Sequence, residues 1–218
     1  MENKEKNSFL NIEGTVIMEN LITAIQENKQ YLSDIDGLIG DGDHGINMNK
    51  GFQMCSVELE KNPGDLAYSA KVLSTILMMK IGGSMGPLYG KMFKGFATEL
   101  EDKSEIGTEE FKNALNAMLT AVQSISPARP GDKTLIDTLH PAVMAFKKAA
   151  DEGEDFEMTL DIMKSAAIEG RNSTKDMVAK LGRASRLGER SRGVMDAGAT
   201  SCCLILESMA DSIKKLLK

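Results

Sequence analysis

The sequence predicts an all-α fold, a single domain of eight helices packed as a bundle. Apolar residues recur at helical spacing along most of the chain, and period-two alternation with β-branched residues is nearly absent. Only five prolines punctuate 218 residues, and no repeat or low-complexity linker divides them. The first helix is expected over roughly 8–33, where Ile17, Leu21, Ala24 and Ile25 share a face. The second and third follow over roughly 46–61 and 65–81. Asp65, after Pro63-Gly64, is placed to accept from the free N–H groups of the next turn. The fourth, roughly 87–102, starts with Pro87 at its first position. The fifth, roughly 108–125, has Thr108 before Glu109-Glu110 at its positive end and an apolar face of Phe111, Leu115, Met118, Leu119 and Val122. The sixth, roughly 133–151, contains Pro141, which should kink or divide it. The seventh covers roughly 155–180. The eighth, roughly 198–217, has the clearest stripe: Ala199, Cys203, Leu206, Met209, Ala210, Ile213 and Leu217.

Composition excludes several function classes. The chain carries 26 Lys and Arg against 32 Asp and Glu, a net charge of −6, which argues against a general nucleic-acid surface. Uncharged runs such as Val72 to Met79 are too short for a span of about 20 residues, so no membrane segment is expected. Three cysteines cannot make a disulfide framework and form no zinc pattern. The first seven residues lack an apolar signal core, and a reducing, cytoplasmic location is the simplest expectation.

Glycine crowds four connections, at roughly 37–45, 82–90, 131 and 182–198. In a bundle of antiparallel neighbours, alternate connections share one end, so these four should meet there. The first contains Asp34, Asp36, Asp41 and Asp43. Glycines on both sides of Asp41 let side chains two apart converge. Only oxygens are offered, which suits a hard cation such as Mg²⁺ or Ca²⁺. The EF-hand pattern fails, because Ile46 and Phe52 stand where Gly and Glu are needed. The plain alternative is a solvated acidic turn with Asp43 capping the next helix. Gly82-Gly83-Ser84-Met85-Gly86-Pro87 leads into a helix start, which suits a phosphate, though taken alone a tight turn is the plainer reading. In Pro130-Gly131-Asp132-Lys133-Thr134, Asp132 is a candidate helix cap, and Lys133 faces either a phosphate or water. Arg183, Arg186, Arg190 and Arg192 form the one basic island, a candidate phosphate clamp, with a solvated, flexible loop of surface Arg–Glu pairs as the plain alternative. Together these features describe a nucleotide–metal site: two Mg²⁺ against three aspartates leave a small positive balance that attracts polyphosphate.

Asp36-x4-Asp41-Gly42-Asp43-His44-Gly45-Ile46-Asn47-Met48, Gly82-Gly83 through Gly86-Pro87-Leu88-Tyr89-Gly90, Pro130 to Thr134, Gly182-Arg183-Ala184-Ser185 and Leu187-Gly188-Glu189-Arg190-Ser191 together resemble the dihydroxyacetone kinase L-subunit family, in order and over almost the whole chain. The resemblance implies a barrel of eight antiparallel helices with ADP or ATP held at one end through two Mg²⁺. It implies Asp36, Asp41 and Asp43 as metal ligands. His44, Gly45, Ile46, Asn47, Ser84, Met85, Ser126, Leu135, Arg183, Gly198, Ala199 and Thr200 are then the nucleotide's surroundings. It implies a kinase subunit without a catalytic residue of its own. A separate K-type subunit holds the ketone covalently, and in the phosphotransferase-system type an M-type subunit rephosphorylates bound ADP. A homodimer stays open, as does a non-catalytic ADP/ATP-sensing module as the second reading. The sequence departs from the family where Met85 takes the usual hydroxyl position, Ser126 replaces a frequent Gly, and Val194, Met195 and Ala197 replace a His, a Gln and a Pro. These departures point to a paralogue serving another small keto-sugar. Tyr89 and His140 have no role argued from sequence.

Overall fold

Nine α-helices build the described part of the chain, residues 7–218 of a computed structural model. They are α1 (Thr15–Glu27), α2 (Lys29–Ile39), α3 (His44–Lys61), α4 (Leu66–Lys80), α5 (Met85–Leu100), α6 (Thr108–Gln123), α7 (Ile136–Asp151), α8 (Phe156–Ser173) and α9 (Ala197–Leu216). Short 3₁₀ turns cover Thr174–Asp176 and Ala184–Ser191. Each helix packs on its sequence neighbour, and α9 closes the ring against α1 and α2. Since α1 and α2 both lie between α3 and α9, they act as one stave, and eight staves remain.

The expected single helix over 8–33 is therefore corrected. Residues Ser8–Leu10 form a strand, β1, paired antiparallel with β2 (Glu105–Gly107), and three residues are too few to show alternation in a sequence. Asn28 then divides α1 from α2: its Nδ2 donates to the Ala24 carbonyl at 2.9 Å, the local competition that makes Asn a helix interrupter. As a result α2 continues to Ile39 and carries Asp36 on its last turns. The seventh predicted helix is too long as well, since α8 stops at Ser173. Pro141 does not divide α7. Gly170 of α8 lies against the Asp137 carbonyl, the one that Pro141 leaves without its helical donor, and this close approach lets the helix run on. Pro87 is the third helical residue of α5, where a missing N–H still costs nothing.

The predicted apolar faces of α6 and α9 are buried throughout. Phe96, Phe111, Phe146 and Phe156 join α5 to α8 through ring pairs 5.4–6.2 Å apart. Such pairs each add roughly 0.5–1.5 kcal/mol to plain burial. At the β1–β2 end, buried Asn11 donates to the carbonyls of Leu100 and Lys103 and accepts from Ala67 N, tying three elements together. Asp65 caps α4 as expected, accepting from Tyr68 N at 2.7 Å. Among the described residues no helix is long and apolar enough to cross a membrane. The reading of the extreme N-terminus rests mainly on residues 1–6, outside the described residues.

Candidate nucleotide and metal site

The four glycine-rich connections meet at one end of the ring, as strict alternation of helix direction requires, and enclose a cavity of about 530 Å³. Its acidic wall is built by two glycines. Gly40 follows α2, and a Cβ there would collide with the Asp36 carboxylate, which folds back over it. Gly42 sits at φ +74°, the left-handed turn that sends Asp41 and Asp43 back toward Asp36. Carboxylate oxygens of Asp36, Asp41 and Asp43 all lie within 4.8 Å of one another. Asp43 occupies the N-cap position of α3 but makes no cap bond, so the capping alternative does not account for it. Asp36 accepts from the His44 N–H at 3.3 Å.

The second wall is the start of α5. Gly83 is left-handed at φ +72°, Ser84 makes no side-chain cap, and Met85 is buried against the cavity. The N–H groups of this first turn are thus free of side-chain acceptors.

The third wall corrects two readings. Asp132 does not cap a helix; it accepts from Arg129 N and Lys180 Nζ. Asp137 orders the loop instead, accepting from Gly131 N and Thr134 N at 2.5 and 2.7 Å. Lys133, 1% exposed and left-handed at φ 61°, borders the cavity, but its ammonium is taken up inside the protein. Its ammonium donates to the carbonyls of Met177, Ser191 and Val194 at 3.2, 2.6 and 2.6 Å. Burial lowers its pKa while Asp196 pulls the other way. Three acceptors for three N–H groups define the charged form. Lys133 is thereby the anchor of the arginine segment.

That segment is not a four-arginine clamp. Only Arg183 lines the cavity, paired with Asp41 across its mouth. Arg192 is spent on Glu189 and the Asp176 carbonyl. Asp196 caps α9, accepting from Ala199 N at 2.7 Å. Its burial raises the carboxyl to about 7, with Asp137 adding to the rise and the Ala199 bond opposing it.

His44, Tyr89 and Ser201 form a connected set at the cavity floor. His44 Nε2 is 2.8 Å from Ser201 Oγ, which is 2.6 Å from the Tyr89 hydroxyl, itself 2.8 Å from the Gly198 carbonyl. Burial lowers the His44 imidazole to about 4, against the pull of Asp36. Burial also raises the Tyr89 phenol well above its ordinary range. His140 is half-buried on α7. Cys202 and Cys203 are buried, with thiols pushed up by desolvation, which makes them poor nucleophiles.

Of the residues singled out from sequence, Asp36, Asp41, Asp43, His44, Asn47, Ser84, Met85, Ser126, Leu135, Arg183 and Gly198 line the cavity. Gly45, Ile46, Ala199 and Thr200 do not. Gly45 packs against α2, the Ile46 side chain is 53% exposed, and the Ala199 carbonyl and Thr200 hydroxyl are engaged by Thr138 and by the Asp196 carbonyl. Sequence reasoning missed Tyr89, Asp196 and the anchoring role of Lys133. Tyr89 was visible only as an aromatic inside the second glycine-rich stretch, three residues after Gly86, and its phenol has to be placed before its partners are known.

The profile of the DAK2 domain matches residues 38–211, from the acidic turn to the last helix. The chain belongs to the DAK2 domain family. It is 39% identical over 186 residues to the ADP-binding subunit DhaL of PEP-dependent dihydroxyacetone kinase 1 of Listeria innocua, spanning 85% of this chain and 88% of that one. It is 35% identical over 190 residues to the corresponding ADP-binding subunit of Escherichia coli, spanning 85% and 89%. Among solved structures, the dihydroxyacetone kinase of C. freundii in complex with AMP-PNP and Mg²⁺ superposes with a TM-score of 0.66 at 22% identity. That match takes in 97% of this DAK2-domain chain but 36% of the larger one, and at this identity it speaks for the fold.

Proposed function

We propose that this chain, working as one domain over residues 1–218, is the nucleotide-binding subunit of a cytoplasmic kinase for dihydroxyacetone or a related small hydroxyketone. Phosphate passes from its nucleotide to a ketone held covalently on a separate K-type subunit. An M-type phosphodonor subunit renews the nucleotide in place. The observation that carries the reading is the convergence of Asp36, Asp41 and Asp43 opposite the start of α5 across one cavity. Its support is the likeness to relatives named ADP-binding subunits.

The donor set fits Mg²⁺: three carboxylates and no sulfur, within reach of a common centre. Asp36, Asp41 and Asp43 would hold two such ions together with the phosphates of ADP or ATP. Ions held there would neutralise phosphate charge and so favour phosphoryl transfer. The chain's own part is positional. The start of α5 borders the cavity with N–H groups free of side-chain acceptors, Met85 and Leu135 give it an apolar surface, and Arg183 stands at the mouth with a guanidinium suited to oxyanions. His44 is no phosphoryl carrier in this reading. Its Nε2 is engaged by Ser201.

Purified chain, denatured after extensive dialysis against Mg²⁺, is expected to release ADP or ATP. With labelled phosphodonor proteins, the label should leave with nucleotide, and acid-labile label on the polypeptide would sink the carrier assignment. Nucleotide release with no transfer to any K-type partner would instead support a sensing module. A finer test uses Gly40→Ala. The added methyl would press on the Asp36 carboxylate and, less closely, on its backbone carbonyl without removing either, so Mg-dependent ADP affinity should fall about tenfold or more in calorimetry, on the scale of one charge-assisted bond. Unchanged affinity would remove Asp36 from the ligand set.

A further inference from the structure

The contacts at the cavity floor call for a proton on His44 Nε2. Three short contacts link four groups: Tyr89 Oη to the Gly198 carbonyl at 2.8 Å, Tyr89 Oη to Ser201 Oγ at 2.6 Å, and Ser201 Oγ to His44 Nε2 at 2.8 Å. Each needs one hydrogen. The Gly198 carbonyl can only accept, so the phenol proton goes to it. The Tyr89–Ser201 contact must then use the serine proton, since the phenol has none left. Ser201 has no second proton to offer, and the remaining contact requires a hydrogen on His44 Nε2. Any other assignment leaves one of the three contacts as two facing lone pairs. Ser201 also lies 3.1 and 3.2 Å from the carbonyls of Ala197 and Gly198, longer contacts to which its proton could otherwise turn.

We propose that Tyr89 and Ser201 are positioning residues that hold neutral His44 in the Nε2–H tautomer, with Nδ1 as its acceptor. The Tyr89 ring adds a steric constraint, meeting the imidazole edge-on with centroids 6.4 Å apart. Tyr89 is 1% exposed and Ser201 fully buried, so water does not compete for these protons. With Nε2 committed, any bond from the ring to a cavity ligand falls to Nδ1. This consequence for ligand contact rests on the nucleotide reading above; the tautomer itself does not.

The test is long-range ¹H–¹⁵N correlation spectroscopy of the uniformly labelled, metal-free full chain at pH 8, above the ordinary histidine pKa of about 6.5. The chain has two histidines, and His140→Gln assigns their signals. Wild-type His44 should show the Nε2–H pattern. In Tyr89→Phe the serine proton is released to turn toward the imidazole, and the Nδ1–H tautomer should gain about fivefold, the worth of one hydrogen bond near 1 kcal/mol. Ser201→Ala, which deletes a single oxygen, should do the same and serves if Tyr89→Phe does not fold. A wild-type Nδ1–H pattern, an averaged pattern, or variants that leave the tautomer ratio unmoved would overturn the proposal. Calorimetry of the wild type with MgADP is scored separately. Absence of binding there would fail the nucleotide reading while the tautomer result stands.

Discussion

Asp43→Ala is expected to abolish Mg-dependent retention of ADP while leaving the fold intact. Asp43 stands at the start of α3 yet makes no cap bond, so its removal strips the helix of nothing it uses. Its carboxylate is committed only to the cluster with Asp36 and Asp41. Three negative groups packed this closely repel one another; Arg183 offsets part of this at Asp41, and a cation among the three would offset the rest. Deleting one group removes a metal ligand and unbalances the charge that lets the site accept polyphosphate. ADP that survives dialysis on the wild type should be lost from the variant. Thermal unfolding without ligand should shift by no more than the effect of an ordinary surface change, about 0.5 kcal/mol. Asp43 is the cleaner choice than Asp41, whose replacement also frees Arg183. Stoichiometric ADP on dialysed Asp43→Ala would show that the aspartates are not the metal ligands.

Lys133→Met is expected to have the largest effect on stability. The side chain keeps its length and apolar stem but loses all three donors. The Ser191 carbonyl, bonded to the ammonium inside the protein, is left without that donor, and those of Met177 and Val194 lose theirs nearer the surface. An unsatisfied buried acceptor costs about 1–3 kcal/mol, and the two half-buried ones add less, so about 2–4 kcal/mol is expected. For a chain of this size that is roughly 4–16 °C in Tm. The loss should be local at first. Hydrogen exchange should rise across residues 177–194, including Ala179, whose N–H is held by the Ser191 hydroxyl, while the α5–α6 core stays protected. Because Arg183 sits on this segment, nucleotide affinity should fall with it. If exchange and Tm were both unchanged, Lys133 would not be the anchor of the arginine segment.

Much of the site was legible in the sequence because its signal is local. Asp41-Gly42-Asp43 announces its own turn: the glycine takes the left-handed backbone and the carboxylates flank it. The apolar stripe of α9 predicts a buried helix, and the whole stripe is buried. Counting helix directions then put four loops at one end without knowledge of a single contact. That count survived an error in the elements themselves. The residues predicted as one helix over 8–33 are a strand and two helices, but α1 and α2 lie in line as one stave, so the parity is unchanged.

Lys133 and Asp137 illustrate where local signals end. As sequence, Asp132-Lys133-Thr134 suggests a cap and a free cation beside a glycine. In the fold, the carboxylate that orders the loop is Asp137, five residues on from Asp132, and the cation is buried under a segment some sixty residues further on. The same holds for His44, whose partner Ser201 lies 157 residues distant. By itself the sequence determined which residues form helices, which turn, and which carry charge, since backbone preference and amphipathic period act over a few neighbours. Only the tertiary structure decided which side chain meets which. A buried polar group must take whatever partner lies within about 3 Å, and packing of remote helices, not spacing along the chain, brings that partner there.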